Sequence, residues 1–381
     1  MKITRVELIQ STKPILFPRP WAPAWNLPSG KPTSGFDFAF YKLYTDSGLV
    51  GVGPHTGAKP EMALGFDPTR VGAFWYQNMS GVRHDTWNRG AAGLEIAMWD
   101  IIGKAANMPL YQIFGSSRNR MPVYAAISQL PEASQQIDQV EEIIASGFKA
   151  IKLRMHRQNP WDDLDVFKKV NQAVAGRVML LVDGNQNNFI EGYHFWSRPT
   201  ALKMAQELDA LGVYYLEDPL PGKDVEGLVS IASSVNMYIA GGEHSSTVYD
   251  FKPHLLAGAY DIIQPDVSMM GNMGITGLRH VSAFADLMGR LVIPHVLGRG
   301  ETALHLAATL PAMAAAQNCP WVEYPCDPPI LTPQTLQAFV TNPILIEADG
   351  CVALPDKPGL GLELNEDWLK SRSEIREIVK C

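Results

Sequence analysis

From residue 121 onward the chain repeats one unit, a short apolar run followed by an amphipathic stretch, with a period of roughly 25 to 35 residues. The runs are PVYAAI (122–127), KAIKLR (149–154), VMLLVD (178–183), VYYLE (213–217), MYIAGGE (237–243), DIIQPD (261–266), RLVIPH (290–295) and WVEY (321–324). Between them lie segments of helical character such as ASQQIDQVEEIIASG and GLRHVSAFADLMGR. Buried strands alternating with helices make a parallel sheet covered on both faces. Eight such units close into a barrel. The expected fold class is therefore α/β, a (β/α)8-type (modified TIM) barrel over residues 116–330.

Residues 1–115 follow a different rule. Extended segments at residues 2–10 and 36–45 flank a Pro/Gly/Trp-rich stretch, PRPWAPAWNLPSGKPTSG, and a second stretch, GVGPHTGAKPE, begins at Gly51. Both stretches read as loops. A helix follows, with Leu94, Ala97, Met98, Ile101 and Ile102 on one face, ending near Asn107 and Pro109. This is the pattern of a small α+β N-terminal domain. The Gly/Pro-rich tail, residues 331–381, is expected to return to that domain and pack on it.

Composition narrows the function classes. Acidic side chains outnumber basic ones 39 to 32, for a net charge of -7, and no Lys/Arg-rich run interrupts the surplus, so nucleic acid is a poor partner. No window reaches the ~18 apolar residues of a membrane helix, and MKITRVELIQ lacks a secretory signal core. A cytoplasmic protein is expected. Cys319, Cys326, Cys351 and Cys381 show no CxxC spacing, which speaks against a zinc site or a disulfide framework and for reduced thiols. GNMGITG follows a strand but lacks GxGxxG spacing, disfavouring a dinucleotide site.

Nearly every predicted strand ends in a polar or charged residue, at the end of the barrel where active sites are built. Three successive strands end in Asp183, Glu217 and Glu243. Converging on one mouth, these carboxylates repel each other, and a hard divalent cation resolves the repulsion; oxygen-only ligands favour Mg2+. Capping of the following helices is the competing account. Lys152 and Arg154, two apart on one strand, share a face and suit an anionic substrate, although a surface ion-pair role gives the same spacing. Asp266 and His295 end the sixth and seventh strands, so the acid can orient the imidazole as a general base. Glu323 on the eighth strand can bond the substrate carboxylate or pass a proton, or cap a helix. Asn185, two residues past Asp183, can bind a substrate hydroxyl or simply form the turn in DGNQN.

The ordered set of K-x-R at Lys152/Arg154, VDGNQ, LEDP, GGE, QPD, IPH and WVE, preceded by GLEIAMWDIIGK, resembles the enolase superfamily and, within it, the mandelate racemase/muconate lactonizing enzyme-like group. The resemblance covers practically the whole chain. It implies that residues 1–115 are a capping domain whose loops, about 18–35 and 53–61, close over a small carboxylate substrate. It also implies Asp183, Glu217 and Glu243 as Mg2+ ligands, Lys152 beside the substrate carboxylate, Asp266 and His295 as the acid–base dyad, and Glu323 as hydrogen-bond donor to the enolate. Trp21 and Trp25 become lid contacts, or aromatic packing between the domains. A homo-oligomer is the family's usual assembly. One departure matters: racemases of this group resemble two-base machines with Lys where Arg154 stands, and a guanidinium is a poor proton acceptor. One dominant base, His295, is therefore expected. The implied reaction is Mg2+-dependent removal of the proton alpha to a carboxylate, with dehydration of a sugar acid to a 2-keto-3-deoxy acid as the leading expectation. A cycloisomerase or racemase/epimerase is the alternative, and a non-catalytic binding protein of the same fold the more distant one.

Overall fold

The computed structural model describes residues 1–80, 90–116 and 118–380; Cys381, expected as a reduced thiol, lies outside them. The N-terminal part contains β1 (Ile3–Ser11), β2 (Ile15–Trp21), β3 (Thr33–Phe36), β4 (Ala39–Thr45), β5 (Val50–Pro54), α1 (Val71–Asn78), α2 (Ala92–Ala106) and α3 (Leu110–Ile113). Then strands and helices alternate: β6 (Arg120–Ala126), α4 (Ala133–Ala145), β7 (Ala150–Arg154), α5 (Pro160–Val174), β8 (Met179–Asp183), α6 (Arg198–Ala210), β9 (Tyr215–Glu217), α7 (Val225–Ala232), β10 (Tyr238–Gly241), α8 (Phe251–Ala257), β11 (Ile262–Ile263), α9 (Gly274–Leu287), β12 (Leu291–Val292), α10 (Thr302–Ala314) and β13 (Val322–Pro325). The tail adds α11 (Pro333–Leu336), β14 (Cys351–Ala353), α12 (Glu366–Lys370) and β15 (Ser373–Lys380).

All eight repeats become parallel strands of one curled sheet, ordered β12-β11-β10-β9-β8-β7-β6-β13. Between β12 and β13 the described residues form no ladder; Glu323 N donates across the seam to the Pro294 carbonyl at 3.4 Å. Alternate residues point inward, and Tyr124, Ala126, Ala150, Leu181, Tyr215, Ala240, Ile262 and Ile293 fill the interior. Lys152 and Arg154 keep the parity of Ala150, Asp183 that of Leu181, and Glu217 that of Tyr215. The strand period therefore carries polar ends to the same mouth that the apolar residues fill from below.

Two strands stop earlier than their apolar runs. Pro265 and Pro294 have no N–H to donate to a neighbouring strand. Asp266 and His295 consequently stand three residues past β11 and β12, and Glu243 two past β10. The expectation that these residues end strands is corrected to residues on the loops just beyond.

The N-terminal sheet is antiparallel, in the order β15-β1-β4-β5, with β15 pairing β1 from Arg5↔Lys380 to Ser11↔Ser373. The two stretches read as loops are partly strand. β2 and β3 pair across the Pro/Trp-rich segment, and β5 takes the head of GVGPHTG. Glycine misled the reading because it marks a close approach here: a Cβ at Gly51 would sit 2.1 Å from the Ala97 carbonyl oxygen, and one at Gly53 2.0 Å from that of Gly93. Strand β5 thus lies directly on the backbone of α2. Gly53→Ala is expected to cost about 2–3 kcal/mol through overpacking, read as a lower urea midpoint; an unchanged midpoint would show that β5 can move off α2.

Two buried acids fasten α2. Asp100 accepts from Val52 N (2.9 Å), Leu360 N (2.9 Å) and Lys104 Nζ (2.7 Å), joining β5, the C-terminal segment and α2. Glu95 accepts from Ile275 N and Thr276 N, both at 2.9 Å, and from Trp99 Nε1 at 2.8 Å, which caps the N-terminus of α9. These bonds fix the N-terminal part against the barrel. No helix among the described residues is long and apolar enough to cross a membrane.

Candidate active site

The carboxylates of Asp183, Glu217 and Glu243 converge: one oxygen from each lies within 4.8 Å of the others, and all three residues are buried. Asp183 accepts from Arg154 Nη1, from Asn185 N at 2.7 Å and from Asn185 Nδ2 at 3.1 Å. Glu217 Oε2 accepts from Lys152 Nζ at 2.6 Å, while its Oε1 is buried with no partner among the described residues. Burial and the neighbouring Asp183 charge push the Glu217 carboxyl up to about 8. An orphaned buried oxygen within a surplus of negative charge is what a divalent cation would satisfy, so these donors fit a metal ion with oxygen ligands. A second grouping, Asp218, Glu243 and exposed His244, shares Glu243. Asp218 follows Glu217 with φ of 42°, and burial together with Glu243, Asp183 and Glu217 holds its carboxyl far above the usual range.

Lys152 is completely buried and bonds Glu217 Oε2 (2.6 Å) and Glu323 Oε2 (2.7 Å). It stands behind the cavity wall rather than in it. Glu323 also accepts from Tyr124 OH. Burial opposes its ionised form, but Lys152, His295 and Arg154 outweigh burial and hold the carboxyl below its ordinary value. Glu323 is therefore an acceptor as it stands, and the expected donor role requires a proton delivered to it first.

His295 Nδ1 lies 2.7 Å from Asp266 Oδ2, which fixes the tautomer: Nδ1–H donates to the carboxylate, and Nε2 is the working nitrogen. Nε2 faces Glu243 Oε2 at 3.5 Å and Glu323 Oε1 at 3.8 Å. Burial disfavours the charged imidazole, yet Glu243, Glu323 and Asp266 together push it up to about 10, so beside these charged carboxylates the ring is protonated at neutral pH. A cation held by Glu243 would offset the largest of those charges and bring the ring towards the neutral form that a base requires. Asp266 is itself braced. Its Oδ1 accepts from Ser268 N (2.7 Å), Met269 N (2.6 Å) and Ser268 Oγ (3.1 Å). With the hydroxyl proton so used, Ser268 Oγ accepts from His305 Nδ1 at 2.6 Å. Burial pushes His305 down to about 4, so it stays neutral. Neither Ser268 nor His305 was foreseeable from spacing.

A cavity of about 460 Å3 opens over this mouth. Arg154, His295, Glu323, Ser128 and Pro325 line it from the barrel, and Trp21, Trp25, Asn26, Thr33, Phe36 and Asp37 from the N-terminal part. Trp21 is a packing residue as well as a wall: its Nε1 donates to Ser128 Oγ at 2.7 Å, and its ring clusters with Ile330, Leu331 and Leu336. Trp25 lies under the Arg154 guanidinium, 5.1 Å from ring centroid to charge centre. Asn185 does not line the cavity; it turns back on Asp183, leaving its Oδ1 buried without a partner among the described residues. Gly53 and Lys59, expected in a lid loop, do not line it either.

The enolase C-terminal domain-like family matches residues 135–368, well over half of the chain. The chain belongs to the enolase superfamily. It is 29% identical to the 3,6-anhydro-alpha-L-galactonate cycloisomerase of Streptomyces coelicolor over 80% of this chain and 79% of that one. It is 30% identical to the D-galactonate dehydratase of Xanthomonas oryzae pv. oryzae over 88% and 91%. The L-talarate dehydratase of Polaromonas sp. JS666, whose crystals hold Mg and L-glucarate, shares the fold, with TM-score 0.79 over 100% of this chain and 99% of that one at 24% identity. As an enolase-superfamily protein, the chain carries its carboxylate cluster and its His–Asp pair at or just past neighbouring strand ends of one curled parallel sheet, and the β2–β3 segment of the N-terminal part lines the cavity beside them.

Proposed function

We propose that the protein removes the proton alpha to the carboxylate of a sugar acid and eliminates the 3-hydroxyl as water, forming a 2-keto-3-deoxy acid. One observation carries this reading: His295, with Nδ1 committed to Asp266, lines the cavity and sets Nε2 3.5 Å from Glu243 Oε2, while Arg154 in the same wall pairs with Asp183 of the carboxylate cluster. Asp183, Glu217 and Glu243 would hold Mg2+. When bound, that ion supplies Lewis-acid stabilisation of the carboxylate as it gains enolate charge.

The chain's own residues do the rest. His295 Nε2 takes the α-proton, and the C–H electron pair moves into the ene-diolate. Arg154, charged at any working pH, and Lys152, locked beside Glu217 and Glu323, supply fixed positive field where the negative charge grows. Asp266 keeps the imidazole in one tautomer and steadies its protonated form. The imidazolium then returns its proton to the departing 3-hydroxyl, the C3–O bond breaks, and the enol tautomerises to the 2-keto acid. Trp21, Trp25 and Phe36 exclude water from above.

Incubation with Mg2+ and a panel of aldonic and aldaric acids in D2O tests the reading, with 2-keto acid and α-deuterium as readouts. Keto acid formed from at least one sugar acid is expected. Deuterium incorporation without keto acid identifies the second reading, cycloisomerisation or epimerisation, which a single imidazole base serves equally and which the 29% identical cycloisomerase favours. Neither signal from any acid removes both. The same reading places the protein in the cytoplasm as a homo-oligomer, and sedimentation velocity measures the assembly.

A further inference from the structure

We infer that Arg299 forms a distal anion subsite, so that the protein selects sugar diacids over monoacids of the same length and configuration. This rests on the proton-abstraction reading above and names the substrate class within it.

The cavity wall contains Arg154, His295 and Arg299 as basic groups. Arg154 is committed, with Nε donating to the Ile127 carbonyl at 2.8 Å and Nη1 to Asp183. His295 is committed to Asp266 and faces Glu243. The Arg299 guanidinium makes no hydrogen bond or ion pair among the described residues; only its backbone N is used, donating to Thr302 Oγ1 at 2.8 Å. It is thus the wall cation that still lacks an anion. Asp37 shares the cavity without pairing with it, and Asp37 Oδ1 accepts from Ser11 Oγ at 3.0 Å. Glu301 feels the guanidinium but does not bond it, and burial pushes that carboxyl up to about 7.

Position supports the same role. Arg299 lies four residues past His295, on the loop between β12 and α10. The next residue, Gly300, abuts the N-terminal part: a Cβ there would be 2.8 Å from the Asp37 carbonyl oxygen. Arg299 therefore stands where the barrel loop meets the capping strands, above the catalytic floor. Asn26 and Thr33, across the same cavity, also carry side chains with no hydrogen bond among the described residues. A volume of about 460 Å3 holds a sugar acid with one carboxylate at the floor and a second reaching this rim. A guanidinium receives a carboxylate through two parallel hydrogen bonds, which a terminal hydroxymethyl group cannot match.

Matched pairs decide it: galactarate against galactonate and glucarate against gluconate, each with Mg2+, for wild type, Arg299→Gln and Arg299→Lys. Wild type is expected to favour the diacid in kcat/KM. In Arg299→Gln the diacid-to-monoacid ratio should fall about 30-fold, mostly through KM on the diacid, because a charged hydrogen bond is lost. Arg299→Lys should restore part of the ratio. Arg299 is exposed, so its replacement leaves the fold in place. Equal kcat/KM on both acids in wild type, or an unchanged ratio in Arg299→Gln, overturns the inference and leaves the proton-abstraction reading standing. No turnover or exchange with any acid removes that reading and the subsite with it.

Discussion

His295→Asn is expected to abolish exchange of the substrate α-proton, by at least ~10^3-fold, because it deletes the residue proposed as the single base and as the acid for the second half of the reaction. The asparagine amide can still donate to Asp266, so the buried carboxylate keeps a partner and the protein should remain folded. Arg154 cannot substitute: Asp183 and the other acids of the mouth hold its proton more tightly still. NMR of the α-hydrogen in D2O reads the effect, with circular dichroism as the folding control. Retention of exchange within about tenfold of wild type would falsify the assignment of His295 and direct attention to Glu323.

Loss of the proposed metal site should be nearly as severe. Glu217 belongs to the carboxylate cluster, with one oxygen unpartnered among the described residues and the other on Lys152. Glu217→Gln removes one of three charges while keeping shape, and Mg2+ affinity is expected to fall about 10^2-fold or more, of the order found when one partner of a buried charge pair is removed. Two readouts are independent of turnover. Calorimetry gives the affinity directly. In addition, Mg2+ at about 100 times its Kd should stabilise wild type by ~2.7 kcal/mol through mass action, raising the melting temperature, and Glu217→Gln should lose that rise. If Mg2+ binds the variant as tightly as wild type, the ligand set is wrong, and the Asp218, Glu243, His244 grouping becomes the one to test.

Much of the site was visible in one dimension because a strand has a period of two. Lys152 and Arg154 share a face with Ala150 by spacing, and the structure shows that face to be the interior of the barrel. Asp183 and Glu217 follow the same parity at the ends of β8 and β9. The reading weakened where backbone replaced side-chain pattern as the determinant. Pro265 and Pro294 shortened β11 and β12, and glycines at 51 and 53 looked like turns although they are strand residues pressed on α2.

Sequence alone determined the eight-fold alternation and the polar residues at or just past most strand ends, since each depends only on residue type and local spacing, while the reading of Arg154 as a replacement for a second base came from the family resemblance. The tertiary structure decided who meets whom. Lys152 finds Glu323 171 residues away, Trp21 finds Ser128 107 away, and Ser268 finds His305 37 away. It also set Lys152 behind the wall, held the Glu323 carboxyl below its ordinary value and left the Arg299 side chain without a partner among the described residues. Such contacts are fixed by close packing and by the low dielectric around buried charges, and no local periodicity encodes either.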